Sequence, residues 1–210
     1  MIDIETYVVN AFFVNNHIIL DNESKEFAII DAPGLHEGIE KLVKQGYKAR
    51  WLALTHGHID HIAGLKDIVD LTGVEWFVHR EDKIFLDHAP KDMFASVLDA
   101  KTPPDNPSFF KEGDKLFLGD AEFEIIETPG HTPGGVCIYC RKLGVVFTGD
   151  TLFKLSVGRT DLPKGDFQTL KKSIVEKLYT LPDNTVVLSG HGETTTIGFE
   201  KENNPFVRAE

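Results

Sequence analysis

Cysteine is scarce in this chain. Cys137 and Cys140 are the only two among 210 residues, and both sit in VCIYC. A CxxC pair suggests a zinc or redox site, but Val136 to Tyr139 has the composition of a strand, where residues three apart point to opposite faces. The two sulfurs should therefore pack separately as core thiols. Basic clusters are also missing. The 22 lysines and arginines face 33 acidic residues, giving a formal net charge of -11 with no Lys/Arg-rich run. A phosphate backbone would be repelled on average, so a nucleic-acid partner is not expected. Long apolar runs are absent as well. No stretch approaches the roughly 18 residues of a membrane span, and MIDIETYVVN lacks the basic flank of a signal peptide. A cytoplasmic protein without a membrane partner is expected. Proline-rich sequence is confined to TPPDNP, Thr102 to Pro107. Strand-like segments flank it on both sides, so it reads as a surface loop rather than a linker. One domain over 1–210 is the expectation.

What is present is ordinary for an ordered enzyme: 41% hydrophobic and 26% charged residues. AFFVNNHIIL and FAIID are β-rich runs flanking the turn-type DNESK, which predicts a hairpin. Ile39, Leu42 and Val43 mark a helical face ended by Gly46. WLALT suits a buried strand. Ile62, Leu65, Ile68 and Val69 repeat at helical spacing up to Gly73. EWFVH is a strand, and Glu81 to Leu98 is helical but interrupted at Pro90. KLFLG, EFEIIE, VCIYC and VVFTG predict strands in quick succession. Asp166 offers an N-cap to a helix whose face is Leu170, Ile174, Leu178 and Leu181. TVVLSG is the last clear strand. Each half is several strands followed by helix, which predicts an α/β fold of two mixed sheets packed face to face with helices outside.

The chemistry is concentrated in THGHIDH, directly after WLALT. An HxHxDH pattern arises by chance on the order of once per thousand such chains. His56 and His58 are two apart and face one side in extended backbone, while Asp60 and His61 fall where the chain turns into helix and face a second point. One short loop can thus offer ligands to two metal ions. His131 in TPGHTPGG, Asp150 in FTGD and His191 in LSGH occupy the same setting, a strand end beside glycine. Alone, each would more often be a packed or surface residue; together they form a set. His17, His36, His79 and His88 lack such partners and read as structural or solvent-facing. Imidazole and carboxylate without thiolate suit zinc first, and are compatible with iron or manganese.

THGHIDH, TPGHTPGG, FTGDTLF and LSGHG, in that order, resemble the metallo-β-lactamase superfamily over nearly the whole chain. SVGRTDLPKGD and GHGETTTIGFEKENNPF look most like its glyoxalase II-like, or hydroxyacylglutathione hydrolase-like, branch. The resemblance implies a four-layer αββα sandwich with a binuclear site at one edge. His56, His58 and His131 would hold the first metal. Asp60, His61 and His191 would hold the second, and Asp150 would bridge both. Many β-lactamases of this fold carry Cys at the position of Asp150, which argues against an antibiotic-cleaving role. Glyoxalase II itself continues into a helical glutathione-binding domain, and this chain reads as a short form without it, so the reaction type carries over better than the substrate.

The expected reaction is hydrolysis of a small-molecule thioester such as S-lactoylglutathione by a metal-bound hydroxide. The pKa of the parent water would fall toward about 7. Asp60 would orient that water or accept its proton. A thiolate leaves without a general acid, which favours a thioester over an amide. Arg159 is a candidate for a substrate carboxylate, with pairing to Asp161 as the equal alternative. Phe153 and Leu152 could line the pocket or simply pack. Asp31, Thr148 and Ser189 could orient ligands or make ordinary turn bonds. Three other readings compete: a mononuclear iron persulfide dioxygenase resembling the same branch, a nuclease of the same fold, and a non-catalytic binding module. The charge opposes the nuclease, and the intact set of donors opposes the binding module. Hydrolysis of another small ester or lactone is also compatible. Oligomeric state cannot be read from the sequence.

Overall fold

Side-chain alternation in the strands decides the architecture. The computed structural model describes residues 1–208. In chain order the elements begin with β1 (Ile2–Val9), β2 (Val14–Asp21), β3 (Glu26–Ile30), α1 (Glu37–Lys44) and β4 (Lys48–Ala53). Next come α2 (Ile59–Ile62), α3 (Leu65–Thr72), β5 (Trp76–His79), α4 (Lys83–His88) and β6 (Ser108–Phe110). Then follow β7 (Lys115–Leu118), β8 (Ala121–Glu127), β9 (Val136–Cys140), β10 (Val145–Gly149) and a ribbon of β11 (Leu152–Phe153) with β12 (Ser156–Val157). The chain closes with α5 (Phe167–Glu176), β13 (Val186–Ser189), β14 (Thr195–Thr196) and α6 (Ile197–Asn203).

One sheet has the order β1-β2-β3-β4-β5-β6 and the other β14-β13-β10-β9-β8-β7. Both are mixed. β3, β4, β5 and β6 run parallel in the first, and β10 pairs parallel with β13 in the second. Successive residues of each central strand enter different layers. Ile18, Phe27, Ile29 and Leu52 pack outward under Ile39, Leu42, Leu65 and Ile68 of the helices. Their neighbours Ile19, Ala28, Ile30, Trp51 and Ala53 face inward, against Phe123, Ile125, Ile138 and Phe147 of the second sheet. That sheet's outer face, with Tyr139, Val146 and Val187, is covered by Leu170, Ile174, Leu178 and Ile197. The result is the αββα sandwich. The cysteines obey the same alternation: Cys140 lies between the sheets, Cys137 under the helices, and both are free.

Three local expectations need correction. The run AFFVNNHIIL becomes strand only at Val14, because Asn10 to Phe13 turn the hairpin, with Asn10 and Phe13 at positive φ. The periodic stretch around Ile62 to Val69 is two helices, broken where the Gly64 amide donates to the Ala32 carbonyl at 2.8 Å. The helix capped by Asp166, whose side chain accepts from the Thr169 amide, ends at Glu176. Leu178 falls in a separate 3-10 turn and Leu181 beyond it. That tighter turn still buries Leu178 and Tyr179, and the Tyr179 hydroxyl donates to the Glu200 and Val207 carbonyls. Among the described residues no helix is long and apolar enough to cross a membrane.

His17 ties the first sheet to the end of β13. Its Nε2 donates to the Ser189 carbonyl at 3.1 Å and its Nδ1 accepts from the Thr6 hydroxyl at 2.9 Å. Burial pushes its pKa from 6.5 to about 4. The unfolded chain therefore takes up this proton first. The contribution of His17 to stability is complete above pH 6.5 and is lost as pH falls toward 4. Over that window the loss is about 3 kcal/mol. Urea unfolding of the chelator-treated wild type and His17→Gln at pH 7, 6 and 5 should show the wild-type advantage shrinking with acid. Parallel pH profiles would contradict this.

Candidate metal centre

The first sheet delivers four donors at the carboxyl end of β4. Past β4 the Leu54 amide still donates to the Phe77 carbonyl, and the chain bends at Thr55. Thr55 joins the two halves, since its carbonyl accepts from the Val136 amide at 2.8 Å while its own amide donates to Asp31 at 2.7 Å. His56 follows, His58 stands at the N-cap position of α2 in extended backbone without a side-chain capping bond, and Asp60 and His61 lie within that short helix. The second sheet delivers His131 from the loop between β8 and β9, Asp150 just after β10 and His191 just after β13. The structure thus brings together all seven residues singled out from the sequence.

They meet as three sets: His56 with His58 and His131, Asp60 with His61 and His191, and His56 with His61 and Asp150. In each set the donor atoms lie within 4.8 Å of one another. His58 Nδ1 is 2.9 Å from His131 Nε2, and His61 Nε2 is 3.4 Å from His191 Nε2. Asp150 stands between the outer sets, with Oδ1 3.4 Å from His61 Nε2 and Oδ2 3.6 Å from both His131 and His191. At Gly190 an added Cβ would meet His61 Cε1 at 2.7 Å as well as the Asp150 carboxylate, so only glycine permits this approach.

Partners on the far side of each ring fix which nitrogen faces inward. His61 Nδ1 donates to Asp31 at 2.8 Å, and His131 Nδ1 donates to the Arg159 carbonyl at 2.7 Å. The Thr55 hydroxyl donates to Asp31, so it accepts from His56 Nδ1 at 3.0 Å. The Nε2 lone pairs of all three rings are thereby aimed into the centre, the arrangement that metal-binding imidazoles require. His56 Nε2 and Asp150 Oδ1 are buried acceptors without a hydrogen-bond partner. Such orphans are costly in an otherwise satisfied interior, and a cation would satisfy both. The donor set fits divalent metal on this ground.

The electrostatics favour the neutral ring at His56 and His58, whereas at His61 the carboxylates favour a proton that a cation would displace. Burial, reinforced by the neighbouring imidazoles, lowers the His56 pKa well below its ordinary value and pushes His58 to about 4, keeping both neutral. Burial opposes the charge on His61, but Asp150, Asp31 and Asp60 override it and raise its pKa. Burial likewise opposes ionisation of Asp60 and Asp150, yet His61 and the other histidines hold both below the usual carboxylate range. Among the described residues the ion pairs of these two carboxylates run only to histidines, so the negative charge here has no lysine or arginine to meet.

The remaining expectations divide. Asp31 orients His61 and Thr55 directly. The Ser189 hydroxyl donates to the His191 carbonyl at 2.7 Å, while Thr148 makes only a turn bond to Leu152. The exposed Arg159 side chain pairs with Asp161 at 2.7 Å, and its contribution to the centre is the backbone carbonyl. Leu152 is core, whereas half-buried Phe153 lies 6.2 Å from the His191 ring. His36 caps α1, and His79 meets Glu127 at 3.1 Å, away from the centre. Several contributors have no signal in the sequence. Phe85 packs its ring on His58, Asn10 donates to the Asp60 carbonyl, and Asn15 donates to the Ser189 and Gly192 carbonyls. Asp82, buried beneath the His58 and His131 loops, is the fourth.

A four-layer αββα sandwich whose two sheets pool histidines and aspartates at one edge defines a class, the metal-dependent hydrolases of this fold. Residues 9–191 match the family model described as the metallo-β-lactamase superfamily, and the chain belongs to that superfamily. The Haemophilus influenzae protein named hydroxyacylglutathione hydrolase GloC is 40% identical over 212 residues, covering 99% of both chains. The BLEG-1 B3 metallo-β-lactamase superposes with a TM-score of 0.86 at 33% identity, covering 99% of both chains. TTHA1623, in a di-iron-bound form, has a TM-score of 0.86 at 31% identity, covering 97% of this chain and all of its own.

Proposed function

We propose that the seven residues hold two divalent metal ions, His56, His58 and His131 one, Asp60, His61 and His191 the other, with Asp150 shared, and that the chain hydrolyses a small thioester of the hydroxyacylglutathione type. The observation that carries the reading is the pair of orphaned buried acceptors, His56 Nε2 and Asp150 Oδ1, at the meeting point of these sets. Kinship with GloC over the full chain supports the thioester and the glyoxalase II-like branch. Zinc is the first choice of metal, with iron the alternative that the di-iron relative brings forward. Divalent cations held here would supply Lewis acidity, ionising water at neutral pH and polarising a carbonyl.

The chain's own residues do the rest. Asp31 and the Arg159 carbonyl lock the His61 and His131 rings, so the donors are preorganised and need little rearrangement during reaction. To Asp60, whose Oδ2 lies 3.5 Å from His191 Nε2, we assign the orientation of the attacking water; held below the usual carboxylate range by His61 and His191, it is a weak base for that water's proton. Phe85 beside His58 and Phe153 beside His191 give the two flanks of the site apolar surfaces for the acyl group. The leaving thiol has a pKa near about 8.5, so its thiolate departs without a proton donor. Arg159 would reach a substrate carboxylate by leaving Asp161, and exposed ion pairs of this kind are weak.

The test is turnover of S-lactoylglutathione, a chromogenic cephalosporin and glutathione persulfide by the purified protein, with metal counted per chain. Thioester hydrolysis should exceed cephalosporin hydrolysis in kcat/KM by about a hundredfold or more, a gap of roughly 3 kcal/mol in transition-state binding. Oxygen consumption with the persulfide at one iron per chain, or preferential β-lactam cleavage, would overturn the assignment.

A further inference from the structure

The loops that carry His58 and His131 share one brace. Asp82 sits in the 3-10 turn between β5 and α4 and is completely buried. Its Oδ2 accepts from the Gly57 amide at 2.8 Å and from the Thr132 hydroxyl at 2.7 Å, and its Oδ1 accepts from the Gly134 amide at 2.6 Å. Gly57 lies between His56 and His58, while Thr132 directly follows His131. One carboxylate therefore spans two donor loops that are far apart in sequence. At Gly134 an added Cβ would stand 2.7 Å from Asp82 Oδ1, so that loop is shaped around the brace. These three partners are backbone amides and a hydroxyl, none of them a metal-donor atom, so Asp82 acts through the loops. The other set has its own support, Asp31 for His61 and the Ser189 hydroxyl for the His191 backbone.

We propose that Asp82 is a positioning residue that sets the separation of His58 from His131, and so tunes the affinity of the His56–His58–His131 set for its cation while leaving the Asp60–His61–His191 set unchanged. This rests on the two-metal reading above. The physics is one of acceptor count. A carboxylate offers two oxygens to three donors. In Asp82→Asn the side chain has one oxygen and an NH2 group, and whichever way it turns, an N–H faces a donor. One loop would move away, and the 2.9 Å approach of His58 Nδ1 to His131 Nε2 would open.

The experiment uses the zinc-loaded full chain dialysed against graded chelator, with zinc counted per chain and the melting temperature recorded. Wild type should release its two equivalents in two steps. Asp82→Asn should release one equivalent at about tenfold lower chelator strength and keep the second at the wild-type point. Thr132→Val, which removes a single bond, should shift the same equivalent by less. Glu200→Gln is the control, because Glu200 is equally buried and accepts from Leu155, Thr195 and Asn204 without touching a donor loop. It should lower the melting temperature and leave both release points in place. Release of both equivalents together, or wild-type release in Asp82→Asn, overturns the role of Asp82. A wild type that holds fewer than two metal ions per chain overturns the two-metal reading itself, and this inference with it.

Discussion

Asp150→Ala should leave a folded protein with almost no activity. Among the described residues Asp150 is the one whose two oxygens face donors of both outer sets, Oδ1 toward His61 and Oδ2 toward His131 and His191. Removing it takes a donor from each proposed metal and leaves the histidines with less negative charge to balance a cation. Turnover of S-lactoylglutathione should fall by about a thousandfold or more, equivalent to at least about 4 kcal/mol of transition-state stabilisation. Metal content should fall with it. His58→Ala should match the loss of turnover but retain metal in the Asp60–His61–His191 set, since His58 belongs only to the other one. Near-normal turnover in either variant would sink the assignment.

Asp31→Ala carries the second large effect, and here stability suffers as well. Asp31 accepts from the Thr55 amide, the Thr55 hydroxyl and His61 Nδ1, all of them buried. Deleting the carboxylate strands three donors in a dry interior, at a cost of about 3–5 kcal/mol. His61 loses the contact that fixes its ring, and Thr55 loses the contact that turns the β4 end toward His56. Unfolding by urea should report the stability loss, and metal analysis should report depletion of the set containing His61. Asp31→Asn keeps the shape and one acceptor, so it should recover part of the stability without recovering full metal affinity. Wild-type metal content in Asp31→Ala would show that ring orientation at His61 is maintained by other means.

Much of this molecule was legible in the sequence, for reasons that can be named. The donors announced themselves because each lies a few residues beyond the carboxyl end of a strand, in a segment that carries glycine. The sandwich followed from the strand count in each half. Side-chain alternation within VCIYC correctly separated Cys137 from Cys140. Helix ends were less legible. The apolar repeat of Leu170, Ile174, Leu178 and Leu181 continues past Glu176, but the chain tightens there to bring Tyr179 inward. The break at Gly64 depends on a carbonyl far earlier in the chain, at Ala32, which no local pattern encodes. The supporting residues were invisible for the same reason. Asp82 lies in a stretch that looks like an indifferent broken helix, and its importance comes from loops 25 and 50 residues away. Asn15 reads only as part of the β-rich run AFFVNNHIIL, and its role appears where β2 lies beside the His191 loop.

The seam between the two sheets has a consequence for the life of the protein. Four of the proposed metal donors hang from one sheet and three from the other, so metal bound there would be linked to closure of the sandwich. By mass action, free metal at about a hundred times its dissociation constant adds about 2.7 kcal/mol to the folded state. Scarcity of the ion would then do more than silence the chemistry. It would raise the population of opened chains exposed to proteases, and abundance would track metal supply even where synthesis is constant.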